Sequence, residues 1–395
     1  MPKPGGDIVY VLPDKLGGLF SFCDNLLAHR RPGGLRHRAV LTHNRLSSDV
    51  RGDEPLPADE QVTVENELPF ENVYAALRRV RDAVAGEGAL VAHDWIELAA
   101  ASAYPVDRTV FSIVHGDFDY YYELAQRHEP EIDVYVTYTT AIFERLLEVL
   151  PHRRDTIFLR RYGVRIGGMR RPQPGPLRLI YSGRLDRAKG VFDLPPIDRM
   201  LRDSGVDVRW TVQGTGPHEA ELRKAWPQPD IQWMGRREMS EVLSGYERQD
   251  VLVMPSRNEG LPVALLEAGA AGVVPVVSDL RSGVREVVEN GQSGYRAAPG
   301  DIRAFADAIA TLARDRDGLE RMSGAIRAVV SRDWNIVTNA AEYEALFERW
   351  PELRRQRRST PRRLYGSRLD RPWLPNALVR AIRRARGPAA SRQEA

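Results

Sequence analysis

Short apolar runs alternate with amphipathic helical stretches along most of the chain, and the scheme is laid down twice. In the first half the runs are 8–12, 38–41, 89–92, 109–114 and 134–136, with helical patterns at 19–27, 73–84 and 141–150. In the second half strands are expected at 177–182, 206–212, 230–234, 251–254 and 273–277. Helices are expected between them at 216–225, 238–247, 262–271, 284–289 and 301–313. Such alternation implies parallel sheets with helices on both faces. The Gly- and Pro-rich stretch Gly167-Gly168-Met169-Arg170-Arg171-Pro172-Gln173-Pro174-Gly175-Pro176 reads as a linker. Two doubly wound domains follow, at 1–170 and 171–335. Open α/β sheets bind ligands beyond the carboxyl ends of their strands, so two such domains facing each other would leave a central cleft.

Composition agrees with that size and narrows the class. With 395 residues and 43% hydrophobic content, two ordinary cores can be buried. No apolar run approaches the ~18 residues that span a bilayer. The first residues lead straight into a strand, so no secretory leader is expected. The single cysteine, Cys23, suits a reducing compartment, and the cytoplasm is the expected location. Residues 353–395 carry thirteen arginines against Asp370 and Glu394, so the remainder is mildly acidic although the net charge is +3. That distribution describes a basic appendage, not a nucleic-acid-binding core. Within it, Leu374, Ala377, Leu378, Ala381, Ile382 and Ala385 share one helical face and Arg380, Arg383 and Arg384 the other. Such a helix, with Trp373 at its edge, suits an anionic membrane surface at the inner face, or packs on the protein itself.

The segment Pro255-Ser256-Arg257-Asn258-Glu259-Gly260-Leu261-Pro262-Val263-Ala264-Leu265-Leu266-Glu267-Ala268 carries the chemistry. It runs from an apolar strand through a polar loop into an apolar helix, with two glutamates eight positions apart. Pro262 fits a first helical turn, where its missing N–H costs nothing. First-turn amides point at whatever lies above the strand ends, which makes an anion site. Two carboxylates beside that site suit the hydroxyls of a sugar attached to a phosphate.

This arrangement resembles the E-x7-E motif of family 4 glycosyltransferases, retaining enzymes of the GT-B fold. Leu179-Ile180-Tyr181-Ser182-Gly183-Arg184-Leu185-Asp186-Arg187-Ala188-Lys189-Gly190 resembles the family's phosphate segment. Val212-Gln213-Gly214-Thr215-Gly216-Pro217 resembles its GxGP turn, and Ile231-Gln232-Trp233-Met234-Gly235 its base-binding strand. The motifs occur in the family's order over about 175–345. The fold class so implied is α/β, with two Rossmann-like domains. A helix over 336–352 would return to the first domain, and 353–395 would form the arginine-rich tail.

The resemblance also implies roles. Arg184 and Lys189 would meet the departing diphosphate, where fixed cations lower the barrier. The amides of Gly260, Leu261 and Val263 would add to that field. Glu259 would contact the transferred sugar's hydroxyls, and Glu267 the ribose diol. Gly183, Gly214 and Gly216 would bring backbone near the nucleotide, and Gly235 and Arg236 would reach the base. In the first domain Gly17 and Gly18 would lie beside the donor, His115 near a distal sugar hydroxyl, and Asp94 near the acceptor. No cofactor and no metal are implied. The partners would be a nucleoside-diphosphate sugar and a hydroxyl-bearing glycan, glycolipid or small-molecule acceptor.

Two departures stand out: Tyr162-Gly163-Val164-Arg165 replaces the usual Asn-Gly-Val-Asp, and Arg187 stands where an acid is usual. Other readings stay open. A retaining hydrolase needs carboxylates about 5–5.5 Å apart, whereas Pro262 to Glu267 alone spans about 7.5 Å of helix rise. Asp117-Phe118-Asp119 offers a metal-binding DxD. An epimerase of the same architecture, or a non-catalytic partner subunit, remains as an alternative.

Overall fold

The computed structural model describes residues 5–15, 17–48, 51, 55–237, 239–356 and 367–386. Leu16 of the first glycine turn and the arginine-rich stretches 357–366 and 387–395 lie outside the described residues. Two compact units emerge, one of residues 1–138, 142–160 and 338–395, the other of 139–141 and 161–337.

The first unit holds seven strands: β1 Asp7–Pro13, β2 Arg36–Asn44, β3 Glu60–Asn66, β4 Gly88–Ala92, β5 Thr109–Ile113, β6 Val134–Thr137 and β7 Ile157–Leu159. Their order is β3-β2-β1-β4-β5-β6-β7, all parallel. The second holds β8 Leu177–Ser182, β9 Val208–Gln213, β10 Gln232–Gly235, β11 Val251–Met254, β12 Val274–Ser278 and β13 Tyr295–Ala297. These run β10-β9-β8-β11-β12-β13, again all parallel. Strand order reverses between β1 and β4 in one unit and between β8 and β11 in the other. In open α/β sheets that switch point is where ligands bind.

Several elements escaped the apolar-run criterion for physical reasons. β3 is an edge strand with four exposed positions among seven, so it needs no continuous apolar run. The helix Leu194–Asp203 opens on two prolines, tolerated in the first turn but easily read as a break. The helix Arg316–Asp333 buries a narrow stripe under a polar exterior. The helices Trp95–Ala103 and Asp119–Arg127 are further elements that the apolar runs do not mark.

The units divide between Arg160 and Arg161 instead of near 170. Val164 N donates to Trp334 O at 2.9 Å, and Ile336 N donates to Val164 O at 3.1 Å. A Cβ on Gly163 would lie 2.4 Å from Ile336 Cα, so the departing Tyr-Gly-Val-Arg segment packs against the chain just before the last helices. Buried Arg170 donates to Asp250 at 2.6 Å, which ties the rest of the linker to the second unit. From Thr338 the chain belongs to the first unit again. Tyr343 donates to Arg160 O at 2.6 Å there, and Glu344 accepts from Arg31 N at 2.9 Å.

The tail helix, Asn376–Arg386, docks on the first unit with Val379 and Arg383 buried. Arg383 is buried and donates to Asp370 at 2.8 Å, while Arg380 and Arg384 donate to Glu71 and Glu67 at 3.2 and 3.0 Å. Asn72 N donates to the Asn376 side chain at 2.9 Å. The apolar stripe is what faces outward: Trp373 is 75% and Leu378 49% exposed.

Candidate active site

In the second unit the motif residues gather at the carboxyl ends of β8, β9, β10 and β11. Gly183 follows β8, Gly214 follows β9, and Gly235 ends β10. Gly214 has φ +127°, and a Cβ on it would sit 2.0 Å from Gly183 O. Its N–H donates to Gly235 O at 2.9 Å. A Cβ on Gly216 would meet Leu185 O at 2.3 Å. These glycines are therefore required by the contact of one turn with the next, whatever ligand they face. Arg236 is exposed just beyond β10.

Lys189 is placed by a short helical turn, Arg187–Lys189, whose cap Asp186 accepts from Ala188 N at 2.9 Å. Gly190 follows at φ +67°, where a Cβ would lie 1.9 Å from Pro255 O. Arg257 N donates to Ala188 O at 2.9 Å. The loop after β8 is thus fastened to the loop after β11, and Lys189 Nζ reaches Glu259 Oε1 at 2.7 Å. Ser256 Oγ donates to the same oxygen at 2.9 Å. With both donors on Oε1, Oε2 of this largely buried carboxylate is left for another partner. Ser256 was not singled out in the sequence, where a serine in a polar loop carries no signal. Glu259, Ser256, Pro262 and Val284 line a recess of about 10 Å³, space for a water at most, so a sugar would rest over it.

Arg184 is 62% exposed and only 3.7 Å from Asp186, a loosely held cation beside Lys189 in the chain. Arg187, where an acid is usual, pairs with Glu221 and lies over the Phe192 ring at 4.5 Å. Its charge is therefore turned to structure.

Pro262 is not the first helical residue. Its φ of −67° fits, but its ψ of 120° is extended, so it caps the helix Val263–Ala270 instead. Its carbonyl accepts from Leu265 N at 3.1 Å, and Gly283 N holds Gly260 O at 2.9 Å. Val263 remains among the first-turn amides that have no acceptor within the helix. Glu267, on the buried side of that helix, is 6% exposed, and among the described residues no donor reaches its carboxylate. Burial alone pushes its pKa from 4.5 up to about 7.

An ionised carboxylate is the better acceptor for a diol, so ligand binding there should favour deprotonation. Below about pH 7, nucleotide binding is expected to weaken with falling pH and to release up to one proton. Calorimetry in two buffers of different ionisation enthalpy reads that proton directly, and Glu267→Gln should abolish it.

A concavity of about 760 Å³ lies toward the amino-terminal ends of β8–β10, lined by Arg178, Arg209, Thr211 and Gln232 among others. It contains none of the candidate site residues, and open sheets bind at the other end.

In the first unit Gly17 caps the helix Gly18–Ala28 after β1, Asp94 follows β4, and His115 follows β5. Asp94 caps the helix Trp95–Ala103 in a reciprocal box with Glu97 and also accepts from Tyr120. Its carboxylate is thus occupied structurally. Glu97 Oε1 accepts from His93 N and Asp94 N, both at 2.6 Å, and burial raises its pKa to about 8. Burial pushes His115 down to about 3, so its imidazole is neutral. Asp117 and Asp119 both pair with Arg145, and Asp117 also accepts from Tyr122 at 2.7 Å, so the DxD carboxylates are already engaged.

Residues 170–329 match the family described as Glycosyl transferases group 1. That part of the chain is similar to the group 1 glycosyltransferases. The chain is 37% identical over 174 residues to a putative colanic acid biosynthesis glycosyltransferase of Salmonella typhimurium. That match covers 41% of this chain and 43% of the relative, so less than half of the relative's length is spanned. A glycogen synthase of Mycobacterium tuberculosis is 28% identical over 278 residues, 66% of this chain and 67% of the relative. The fold is GT-B. Its likeness to the Anabaena protein HepE, solved with UDP and glucose, has a TM-score of 0.70 over 86% of this chain and 98% of that one, at 15% identity.

Proposed function

We propose that the protein is a retaining, metal-independent glycosyltransferase that moves a sugar from a nucleoside-diphosphate donor to a hydroxyl of a glycan, glycolipid or small molecule. The observation that carries this reading is the Lys189–Glu259 contact at 2.7 Å, made where the loops after β8 and β11 meet at the switch point. A cation beside a carboxylate at that place serves a sugar bound to a leaving diphosphate. In this reading Arg184 and Lys189 take the diphosphate with the amides of Gly260, Leu261 and Val263. Glu259 takes sugar hydroxyls through Oε2, Glu267 the ribose, and Gly235 and Arg236 the base. Gly183, Gly214 and Gly216 shape the nucleotide turn. Gly17, Gly18 and His115 belong to the same reaction from the first unit, with Asp94 on the acceptor side. Polysaccharide assembly fits the relatives' names. Calorimetric titration with UDP, GDP and ADP, with and without EDTA, tests the reading. Binding of one nucleotide that survives EDTA and is lost in Glu267→Ala supports it; binding of none refutes it.

A second reading concerns location. Among the described residues no helix is long and apolar enough to cross a membrane. We infer a cytoplasmic enzyme that touches the anionic inner membrane face through the tail helix, led by the outward Trp373–Leu378 stripe and rimmed by exposed Arg384 and Arg386. Because Arg380 and Arg383 are spent on internal pairs, binding should depend more on apolar contact than on charge. Wild-type protein is expected to co-sediment with vesicles containing anionic lipid, and Trp373→Glu or Leu378→Glu to stay in the supernatant. Equal sedimentation of all three would reject the stripe.

A further inference from the structure

In the first unit two buried side chains that the proposed reaction does not use, Cys23 and His93, lead in a row to His115. His93, 2% exposed, follows β4 with its ring stacked on Tyr10 and edge-on to Phe22, at centroid distances of 6.5 and 6.0 Å. Its Nε2 is 3.4 Å from Cys23 Sγ, and its Nδ1 is 2.7 Å from His115 Nε2. Cys23 is fully buried on the helix Gly18–Ala28. Burial, helped by His115, holds His93 well below the usual imidazole range, and burial first, then Glu97 and Asp24, lifts the Cys23 thiol. All three groups are therefore neutral near pH 7.

Neutrality makes the row a logical chain. A neutral imidazole has one N–H and one lone pair, and the 2.7 Å contact holds a single proton. Only two arrangements satisfy every contact. In one, Cys23 S–H donates to His93 Nε2, His93 Nδ1–H donates to His115 Nε2, and His115 carries its own proton on Nδ1. In the other every proton is reversed, and sulfur becomes the acceptor. We propose that the first arrangement is the native one: Cys23 fixes the tautomer of His93, and His93, a positioning residue, fixes His115 as an Nδ1–H donor. Thiol sulfur is a weak acceptor, whereas an imidazole lone pair is a good one. The reversed arrangement would also leave the buried S–H without a partner.

The consequence rests on the glycosyltransferase reading: His115 offers a hydrogen-bond donor at the end of β5, suited to a sugar or phosphate oxygen, and does not act as a base. The tautomers themselves can be read without any activity. Long-range proton–nitrogen correlation on histidine-labelled protein, with His93→Gln and His115→Gln spectra for assignment, should place both protons on Nδ1. Protonation of His115 at Nε2 would overturn the proposal. Cys23→Ser keeps a donor and should keep the pattern; Cys23→Ala should mix or reverse it while the protein stays folded by its melting curve. An unchanged pattern in Cys23→Ala would remove Cys23 from the role. Cys23→Ala should also lower kcat for transfer while leaving UDP affinity, a property of the other unit, as in wild type. If wild-type protein binds no nucleotide and transfers nothing, the enzymatic reading fails and the tautomer result still stands by itself.

Discussion

Lys189→Ala is expected to lower turnover by about 10²–10³-fold, the effect of removing one preorganised charge from a developing anion, with a smaller change in donor KM. Two losses combine. The leaving diphosphate loses a fixed cation, and Glu259 loses the stronger of its two donors on Oε1. Ser256 alone then holds the carboxylate, and Oε2 is no longer aimed. Lys189→Arg should restore only part of the rate, because a planar fork does not reproduce a compact ammonium. Steady-state kinetics at saturating donor checks this. A variant within a few-fold of wild type would remove Lys189 from the reaction and leave its contact with Glu259 a structural ion pair. Arg184→Ala should also slow turnover, but less, since its side chain is exposed and loosely paired.

Glu267→Gln is expected to weaken nucleotide binding by about 10–100-fold, from the loss of hydrogen bonds worth about 1.5–3 kcal/mol to a charged group. It should cost no stability. The group's folded pKa, about 7, lies above its unfolded 4.5, so its stabilising contribution is complete below 4.5 and is lost as pH rises through 7. At pH 8 the wild-type chain holds a buried charge with no described donor, and the glutamine variant does not. The variant's melting temperature should therefore equal or exceed that of wild type at pH 8, with the difference shrinking toward pH 5. Binding lost with stability kept is the signature of a residue retained for a ligand. A variant that binds UDP normally, or that melts well below wild type, would make Glu267 an ordinary buried residue.

The two families of residues differ in how legible they were. Arg184, Lys189, Glu259 and Glu267 could be proposed because the segments that hold them resemble local motifs of family 4 glycosyltransferases, set where an open sheet exposes its loops. Cys23 and His93 lie seventy positions apart with no motif between them. They meet because β1 and β4 are neighbours across the switch point, a fact of strand order. The tail shows a different limit. Its helical wheel correctly separates arginines from apolar residues, yet Arg383 is buried against Asp370 while Trp373 faces out. A wheel ranks faces by polarity, and polarity cannot say which acids the rest of the chain will present.

By itself, the sequence determined the class of fold and the repetition of the α/β scheme, and it singled out the residues proposed for a nucleotide half-site. All of these are written in local spacing: buried runs, helical periods and glycines at strand ends. Tertiary structure alone decided the order of the strands, the boundary at Arg160, the fastening of Lys189 to Glu259 and the row from Cys23 to His115. Each depends on contacts between segments far apart in the chain. Such contacts are selected by packing and by the satisfaction of buried polar groups, and neither leaves a local pattern to read.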